Sequence, residues 1–346
     1  MMRVALVTEQ LRRPTPGGIG RYTACLRDAL EGRRDVEVED VQGRLPTEIA
    51  ARLWSFGVPR HLGADVVHAT SFAFPRTIPR VPTTVFVHDL LWRGVGSTSL
   101  NARGHRFHDR GLRHAAMRAS RLLVPSHTVR RALVDEGISP GDVVVTGEGA
   151  DHLPLRPRQV TEHVVLSVGT LEPRKNLPRL LMAFDEVRRS ISEPVVLRLV
   201  GSDSWRGSAG LPRELPDGVE AVGTVSDDRL AELLSSATVF VYPSMGEGFG
   251  LPPVEAMRAG VPVVCAPMPS VLERTDEDAS GRLPDDGLPF EAVEATDVSS
   301  ISRALQHVLG SADRRSELSE LGSAWVQDLT WDAVARRHVE VWEELL

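Results

Sequence analysis

Short runs of apolar, often β-branched residues alternate along this chain with longer segments in which apolar residues recur every three or four positions. The first pattern predicts buried strands, and the second predicts amphipathic helices. The predicted strands cover residues 3–8, 36–41, 65–68, 84–87, 121–125, 143–146, 164–168, 195–200, 219–222, 239–242 and 261–264. Regular alternation of this kind indicates an α/β protein with parallel sheets.

The alternation runs in two series, separated by a Pro- and Arg-rich stretch at 153–161. A chain of 346 residues, 42% of them hydrophobic, is long enough to form two cores. We therefore predict two Rossmann-like domains, residues 1–155 and 160–328, joined by that stretch.

The segment 331–346 is predicted to form a last helix, in which the tryptophans serve packing rather than binding. The residues that share its apolar face are Val334, His338, Val341 and Leu345.

Charge is unevenly distributed along the chain. Residues 1–160 hold 23 Arg and 16 acidic residues, a balance of +7, whereas the remainder carries −14. A basic first half favours an anionic partner. The His- and Arg-rich stretch 101–121 contributes to it; a solvated helix face explains that stretch, and contact with an anionic acceptor or an acidic membrane surface is the functional alternative.

No apolar run is long enough to span a membrane. The first Arg is not followed by the long apolar stretch of a signal peptide, so this segment is predicted to be a strand. The two cysteines, Cys25 and Cys265, lie far apart and lack zinc-site spacing, which favours reduced thiols. We therefore expect a cytoplasmic protein, with peripheral attachment to the inner face of the membrane as an alternative and no nucleic-acid partner.

A glycine-rich loop, Gly246–Leu251, follows the predicted strand at 239–242 and leads into a helix that ends at Gly260. The loop lies at the carboxyl end of its strand, where open α/β sheets bind ligands, and a helix start offers N–H groups to an anion. Glu247 in the loop and Glu255 in the helix are eight residues apart, so different roles are expected. A carboxylate beside a phosphate site is expected to accept hydrogen bonds from sugar hydroxyls rather than to bind the phosphate.

Lys175 is the only lysine among 40 basic residues. It follows Arg174 in the loop Gly169–Asn176, which joins a predicted strand to a helix. Two cations there can neutralise a diphosphate and stabilise a departing nucleotide. Because positive charge opposes the dipole at a helix start, a bound anion explains the pair better than chance does. A compact ammonium also fits a point contact with phosphate.

Together, EGFGLPPVEAMRAGVPVV and GTLEPRKN resemble the retaining glycosyltransferases of the GT-B type, particularly family four, or group 1. The resemblance implies that Glu247 contacts the donor sugar and that Glu255 holds the nucleotide ribose. It assigns the diphosphate to the cations Arg174 and Lys175 and to the glycine loop, which contains Gly248, Phe249, Gly250 and Leu251. Thr170 stands where many members carry Arg, so no cationic role is transferred to it, although it remains a donor-binding candidate.

Three other segments resemble motifs of the same family. GGIGRY, placed in a loop that runs from Pro14 to Tyr22, implies that Gly18 and Gly20 approach the donor phosphates; a plain glycine-rich turn is the alternative. The pair His88-Asp89 implies that His88 lines the donor-sugar pocket, against the alternative of a structural histidine. The loop after the strand at 219–222 implies that Thr224 and Val225 border the base. TGEGAD at 146–151 departs from the family's usual P-N-G-V-D.

The resemblance implies a GT-B architecture: two Rossmann-like domains facing a cleft, with the C-terminal helix returning to the first domain. It implies transfer of a sugar, with retained configuration, from a nucleotide-sugar to a hydroxyl of a glycan, lipid-linked or small-molecule acceptor. In the expected front-face mechanism, the leaving diphosphate on Arg174 and Lys175 helps to deprotonate that hydroxyl. GTLEPRKN is most similar to the mannosyltransferase branch, so GDP-mannose is the expected donor.

No metal or other cofactor is expected at the catalytic step. Asp276-Glu277-Asp278 satisfies D-x-D by letter but belongs to an acidic, surface-like segment. Two alternatives remain: a nucleotide-sugar epimerase, which would need a carboxylate pair flanking the sugar, and a non-catalytic sugar-nucleotide-binding protein. Incubation with donor and acceptor would distinguish the three: a transferase gives a transferred sugar, an epimerase a changed donor sugar, and a binding protein no product.

Overall fold

The computed structural model describes residues 1–13, 17–43, 49, 54, 59–78, 81–94, 102–160, 162–202, 211–212, 214–273 and 287–346. The chain forms two compact units. The first consists of residues 1–90, 100–149 and 329–346, and the second of residues 91–99 and 150–328.

Strands and helices alternate through both units. The strands are β1 Met2–Val7, β2 Val36–Val41, β3 Pro59–His61, β4 Val66–Ala69, β5 Arg76–Ile78, β6 Thr83–Phe86, β7 Arg121–Val124, β8 Val143–Val145, β9 His163–Val168, β10 Val195–Val200, β11 Val219–Gly223, β12 Val239–Tyr242, β13 Val263–Cys265 and β14 Glu291–Ala292. The helices are α1 Gly17–Glu31, α2 Ala102–Arg118, α3 His127–Asp135, α4 Leu177–Ser190, α5 Asp227–Ser236, α6 Leu251–Arg258, α7 Pro269–Leu272, α8 Val298–Gly310, α9 Ala312–Trp325 and α10 Trp331–Glu343. Most predicted strands are confirmed to within two residues.

Each unit is built on a six-stranded parallel sheet, in the order β2-β1-β4-β6-β7-β8 in the first unit and β11-β10-β9-β12-β13-β14 in the second. Their central strands are apolar at nearly every position because helices cover both faces of such sheets. The strand order reverses between β9 and β12 in the second unit. Ligands of open α/β sheets bind at such a switch point, beyond the carboxyl ends of the strands. The predicted α/β class with two Rossmann-like domains is therefore confirmed.

The C-terminal helix α10 completes the core of the first unit, as predicted. Trp342 is fully buried, and its indole N–H donates to the Thr84 hydroxyl at 3.0 Å. Trp331 lies edge-on to Tyr22 of α1, with ring centroids 5.7 Å apart. Both tryptophans therefore pack against their own unit, but Leu345, predicted on the same face, is only half-buried.

The loop predicted from Pro14 to Tyr22 is wrong from Gly17 onward, because α1 begins at that residue. Tyr22, Leu26 and Leu30 recur at helical spacing, and each is at most 1% exposed. Packing of this face onto the sheet outweighs the low helix propensity of the glycines.

The second unit begins at Ala150, earlier than the Pro- and Arg-rich stretch predicted as the linker. Arg158 donates to the carbonyls of Leu234 and Ala237 at 2.8 and 2.7 Å. The backbone N–H of Gln159 donates to the Ser235 carbonyl at 2.9 Å. These bonds attach the stretch to the end of α5, so it is a part of the second unit.

Helix α2 contains the basic stretch singled out in the sequence. Arg106, Arg110 and Arg113 are exposed on it, together with Phe107 and Met117, which are 42% and 73% exposed. This face suits solvent as well as an anionic surface, so contact with a membrane or an anionic acceptor stays a prediction. Of the helices in the described part of the chain, none is long and apolar enough to cross a membrane. Both cysteines are free thiols.

A buried imidazole lies between α10 and α1. His338 donates through Nδ1 to the Val334 carbonyl at 2.8 Å, so its Nε2 accepts from the Tyr22 hydroxyl at 2.8 Å. This arrangement suits the neutral ring. Burial of His338, which is 0% exposed, lowers its pKa from 6.5 to about 4.

We expect His338 to make the fold sensitive to acid. Its pKa is lower in the folded chain, so between pH 6.5 and 4 the unfolded state binds more protons and stability falls as pH falls. The loss in free energy of unfolding should reach roughly 3 kcal/mol near pH 4. Urea unfolding between pH 7.5 and 4.5 measures it. His338→Gln should flatten this dependence, whereas His307→Gln, at a 57% exposed imidazole, should not. Equal slopes for wild type and His338→Gln would contradict the assignment.

Candidate functional site

The loop after β9 holds Lys175 in a fixed position at the switch point of the second sheet. Asn176 adopts a left-handed conformation, with φ of 60°, and its amide donates to the carbonyls of Pro243 and Ala295 at 3.1 and 2.5 Å. Gly201, which immediately follows β10, allows the loop to approach, because a Cβ there would lie 2.0 Å from the Gly169 carbonyl oxygen. The local fold therefore places the lysine beside the loop that follows β12.

A second set of bonds ties the two loops together. The Met245 N–H donates to the Arg174 carbonyl at 2.8 Å, and Arg174 returns a bond from Nη1 to the Gly246 carbonyl at 3.1 Å. The Ser244 hydroxyl oxygen lies 3.2 Å from the Arg174 carbonyl oxygen. Arg174 and Lys175 are thereby brought into contact with Glu247, which follows Lys175 by 72 residues.

Glu247 accepts hydrogen bonds from four side chains in the part of the chain that the structure describes. Lys175 Nζ and the hydroxyls of Ser244 and Tyr242 donate to Oε1, at 2.7, 2.7 and 3.0 Å. Arg174 Nη1 lies 2.5 Å from Oε2. Three of these donors share Oε1, which has two lone pairs and is therefore fully occupied. A sugar hydroxyl can bond to Oε1 only by replacing one of them.

The charges in this cluster are balanced. Arg174 Nη2 also pairs with Glu172 Oε1 at 2.8 Å, so two cations face two carboxylates. Burial acts to raise the pKa of Glu247, but Lys175 and Arg174 outweigh it and hold that pKa at about 2. Burial is the largest effect on Lys175 and lowers its pKa. Glu247 therefore remains ionised at any ordinary pH.

Tyr242 connects the lysine to the glutamate. Its hydroxyl accepts from Lys175 Nζ and donates to Glu247. Burial, followed by the charge of Glu247, raises the pKa of Tyr242 well above 10, so the phenol keeps the proton that it donates.

The start of α6 offers fewer backbone donors than a helix normally does. Pro252 and Pro253 have no N–H, which leaves Gly250 and Leu251 to supply the donors at this end. Gly250 has φ of +97°, and a Cβ there would lie 2.4 Å from the Met268 sulfur, so only glycine fits. An anion bound here would therefore be held mainly by Arg174 and Lys175, and less by backbone N–H groups of the helix start than the sequence predicted.

The rest of the glycine loop is packed against α7. Ser270 donates from its backbone N–H to the Phe249 carbonyl at 2.9 Å and from its hydroxyl to the Gly250 carbonyl at 2.7 Å. Phe249 is 5% exposed and Gly248 is buried. The loop is thus held in a single conformation beside Glu247.

Glu255 lies on α6, away from the four-donor cluster. Its Oε1 is 3.0 Å from Nε2 of His152, and both side chains are at least nine-tenths buried. His152 was not singled out in the sequence. The two glutamates therefore have different partners, as their different predicted roles require.

The remaining donor-binding candidates of the second unit lie at the carboxyl edge of the same sheet. Thr170 follows β9, and its carbonyl accepts from the Glu172 N–H at 2.7 Å. Thr224 and Val225 follow β11, immediately before Ser226, whose hydroxyl caps α5. No described hydrogen bond connects these residues to Glu247, and their predicted contacts with the donor stay predictions.

His88, Gly18 and Gly20 belong to the first unit. His88 follows β6 and donates through Nε2 to the Thr70 carbonyl at 3.0 Å, while its Nδ1 lies 3.6 Å from Glu148 Oε1. Gly18 and Gly20 lie in the first turns of α1. Asp276-Glu277-Asp278 lies outside the described residues.

Sequence reasoning missed four side chains that contact the predicted site residues. They are Tyr242, Ser244, Glu172 and His152. Tyr242 ends a buried strand at the edge where ligands bind, and Glu172 stands in the same loop as the two cations, so their positions offered a signal. His152 offered none, because its partner is more than 100 residues away.

Comparison with known proteins agrees with this geometry. Residues 156–322, most of the second unit, match the family model Glycosyl transferases group 1. The O-antigen chain mannosyltransferase B of Escherichia coli is 27% identical over 297 residues, covering 81% of this chain and 74% of that protein. The MMP alpha-(1->4)-mannosyltransferase of Mycolicibacterium hassiacum is 31% identical over 235 residues, which are 65% of this chain and 54% of that protein.

Similarity of fold extends along the whole chain. Sucrose-phosphate synthase from Thermosynechococcus elongatus superposes with a TM-score of 0.73 at 21% identity, covering 100% of this chain and 99% of that one. Residues 156–322 thus belong to the glycosyl transferases group 1 family, and the chain is a glycosyltransferase with the GT-B fold.

Proposed function

We propose that the protein transfers mannose, with retention of anomeric configuration, from GDP-mannose to a hydroxyl of a glycan, lipid-linked or small-molecule acceptor. The observation that carries this proposal is the contact of Arg174 and Lys175 with Glu247 at the switch point of the second sheet. It joins the cations needed by a diphosphate to the carboxylate needed by a sugar. Mannosyltransferases among the relatives support the choice of sugar.

The chemistry follows from charge. As the glycosidic bond breaks, negative charge collects on the diphosphate, and preorganised cations stabilise it. Arg174 and Lys175 supply that stabilisation, and a phosphate oxygen takes the proton of the acceptor hydroxyl. In this proposal the cations, the donor and the acceptor suffice for the catalytic step, and no resident metal is required.

Binding of the donor involves an exchange of partners. The diphosphate attracts Arg174 and Lys175, whose side chains contact Glu247 in this structure. As their bonds to the carboxylate are replaced, Glu247 regains lone pairs for the hydroxyls of the sugar. A ligand with both a diphosphate and a sugar therefore fits this site better than either part alone.

The donor is tested by thermal unfolding with nucleoside diphosphates. A ligand that binds only the folded state raises the unfolding midpoint. We expect the largest rise with GDP and smaller rises with UDP, dTDP and ADP, and we expect mannose transfer from GDP-mannose with the anomeric configuration retained by NMR. A rise with UDP and none with GDP would refute the proposed donor and leave the glycosyltransferase assignment intact.

Loss of Lys175 should abolish turnover. Lys175→Ala removes a preorganised charge from the diphosphate, so kcat should fall roughly 10²–10³-fold. Lys175→Arg should also be impaired, because the lysine is 8% exposed and packs against Gly169, leaving little space for a guanidinium. Steady-state kinetics give the effect, and circular dichroism checks the fold. Arg189→Ala on α4, at a 74% exposed arginine, is the control and should retain activity. Normal kcat for Lys175→Ala would refute the assignment.

Glu247→Gln should separate turnover from nucleotide affinity. It removes the sugar acceptor, so kcat should fall roughly 10²-fold, while the two cations lose a competing carboxylate and should bind nucleoside diphosphate at least as tightly. Glu172→Gln is the matched control, because it removes the same charge from Arg174 but lies outside the hydrogen bonds of Glu247. Its kcat should fall far less. Kinetics and calorimetric titration measure both, and weaker nucleotide binding by Glu247→Gln would contradict the exchange of partners.

A further inference from the structure

The pair Glu255–His152 is a buried polar contact of the second unit that the mechanism above does not use. Glu255 is 5% exposed on α6, and its Oε1 lies 3.0 Å from Nε2 of His152. A carboxylate oxygen can only accept, so Nε2 of His152 carries the proton and donates it to Oε1 of Glu255. A buried carboxylate needs such donors, since burial without them is costly.

We propose that His152 is a positioning residue that aims Glu255 at the vicinal hydroxyls of the nucleotide ribose. The inference rests on the proposed function, because it requires a nucleoside diphosphate in this unit. The bond to Oε1 restrains the rotation of the Glu255 side chain. It engages one of about four lone-pair sites of the carboxylate, and the ribose hydroxyls are the further donors that we assign to it.

His152 is itself held by the second unit. It belongs to the second unit and immediately precedes the stretch 153–161, which Arg158 and Gln159 attach to the end of α5. The histidine and the glutamate therefore come from separately fixed backbones, and neither forms part of the other's helix. Replacing His152 should change the orientation of Glu255 without removing a residue from α6.

A purely structural role would give a different result. If His152 only stabilised α6, its loss would weaken every ligand of the site equally. If it orients Glu255 toward ribose, its loss weakens only ligands that have the hydroxyls, because a site built to bond a hydroxyl discriminates strongly against the analogue without it.

The experiment compares GDP and UDP with their 2′,3′-dideoxy counterparts by calorimetric titration. Wild type should bind the ribonucleotide more tightly than the dideoxy analogue. His152→Ala should lose about tenfold in affinity for the ribonucleotide, the usual effect of losing one hydrogen bond to a charged group. It should lose little for the dideoxy analogue. His152→Gln, which restores an N–H donor, should recover part of the loss. His163→Ala, at the amino end of β9, is the control and should bind both nucleotides like wild type.

The outcomes separate the inference from the function on which it rests. Equal losses for both nucleotides, or no loss, would overturn the role of His152 while leaving nucleotide binding established. Absence of binding by wild type would overturn the proposed donor class and this role together. If His152→Ala does not fold, His152→Gln decides: a loss of affinity confined to the ribonucleotide supports the role, and equal losses for both nucleotides, or no loss, refute it.

Discussion

The buried ion pair between Lys175 and Glu247 is the contact on which the second unit's site depends. Both side chains are 9% exposed, so each charge would be costly without the other. The pair requires Asn176 in its left-handed conformation and a loop after β12 that bends back to Arg174. Two loops far apart in sequence are thereby fixed against each other before any ligand arrives, which is the preorganisation that electrostatic catalysis needs.

Charge balance makes this site selective. Two cations beside two carboxylates attract a distant anion weakly, and the start of α6 adds few backbone donors. Under the proposed function, a diphosphate gains most where it replaces Glu247 as the partner of the cations, and a sugar gains most once that replacement has occurred. We therefore expect the affinities of the two parts to be coupled through one carboxylate, so that binding of either part favours the other.

Much of this arrangement follows from the sequence. Val-rich runs predicted the strands of both sheets, and the family resemblance assigned the loops after β9 and β12 to one diphosphate, which agrees with the contact between them. The start of α1 was not, because the burial of Tyr22 and Leu26 decides it against the local preference of glycine. Nor could the sequence show that Glu247 accepts from Lys175, Arg174, Tyr242 and Ser244, since bond geometry depends on packing between segments distant along the chain. His152 escaped notice for the same reason.

The burial of Lys175 has a chemical consequence. Amine-acylating reagents have a single lysine side chain to modify in this sequence, and the fold keeps it 8% exposed. Its Nζ can react only while its bonds to Glu247 and Tyr242 are broken. The rate of acylation at that one position therefore reports how often the loops open locally. Mass spectrometry of the wild-type chain measures this rate.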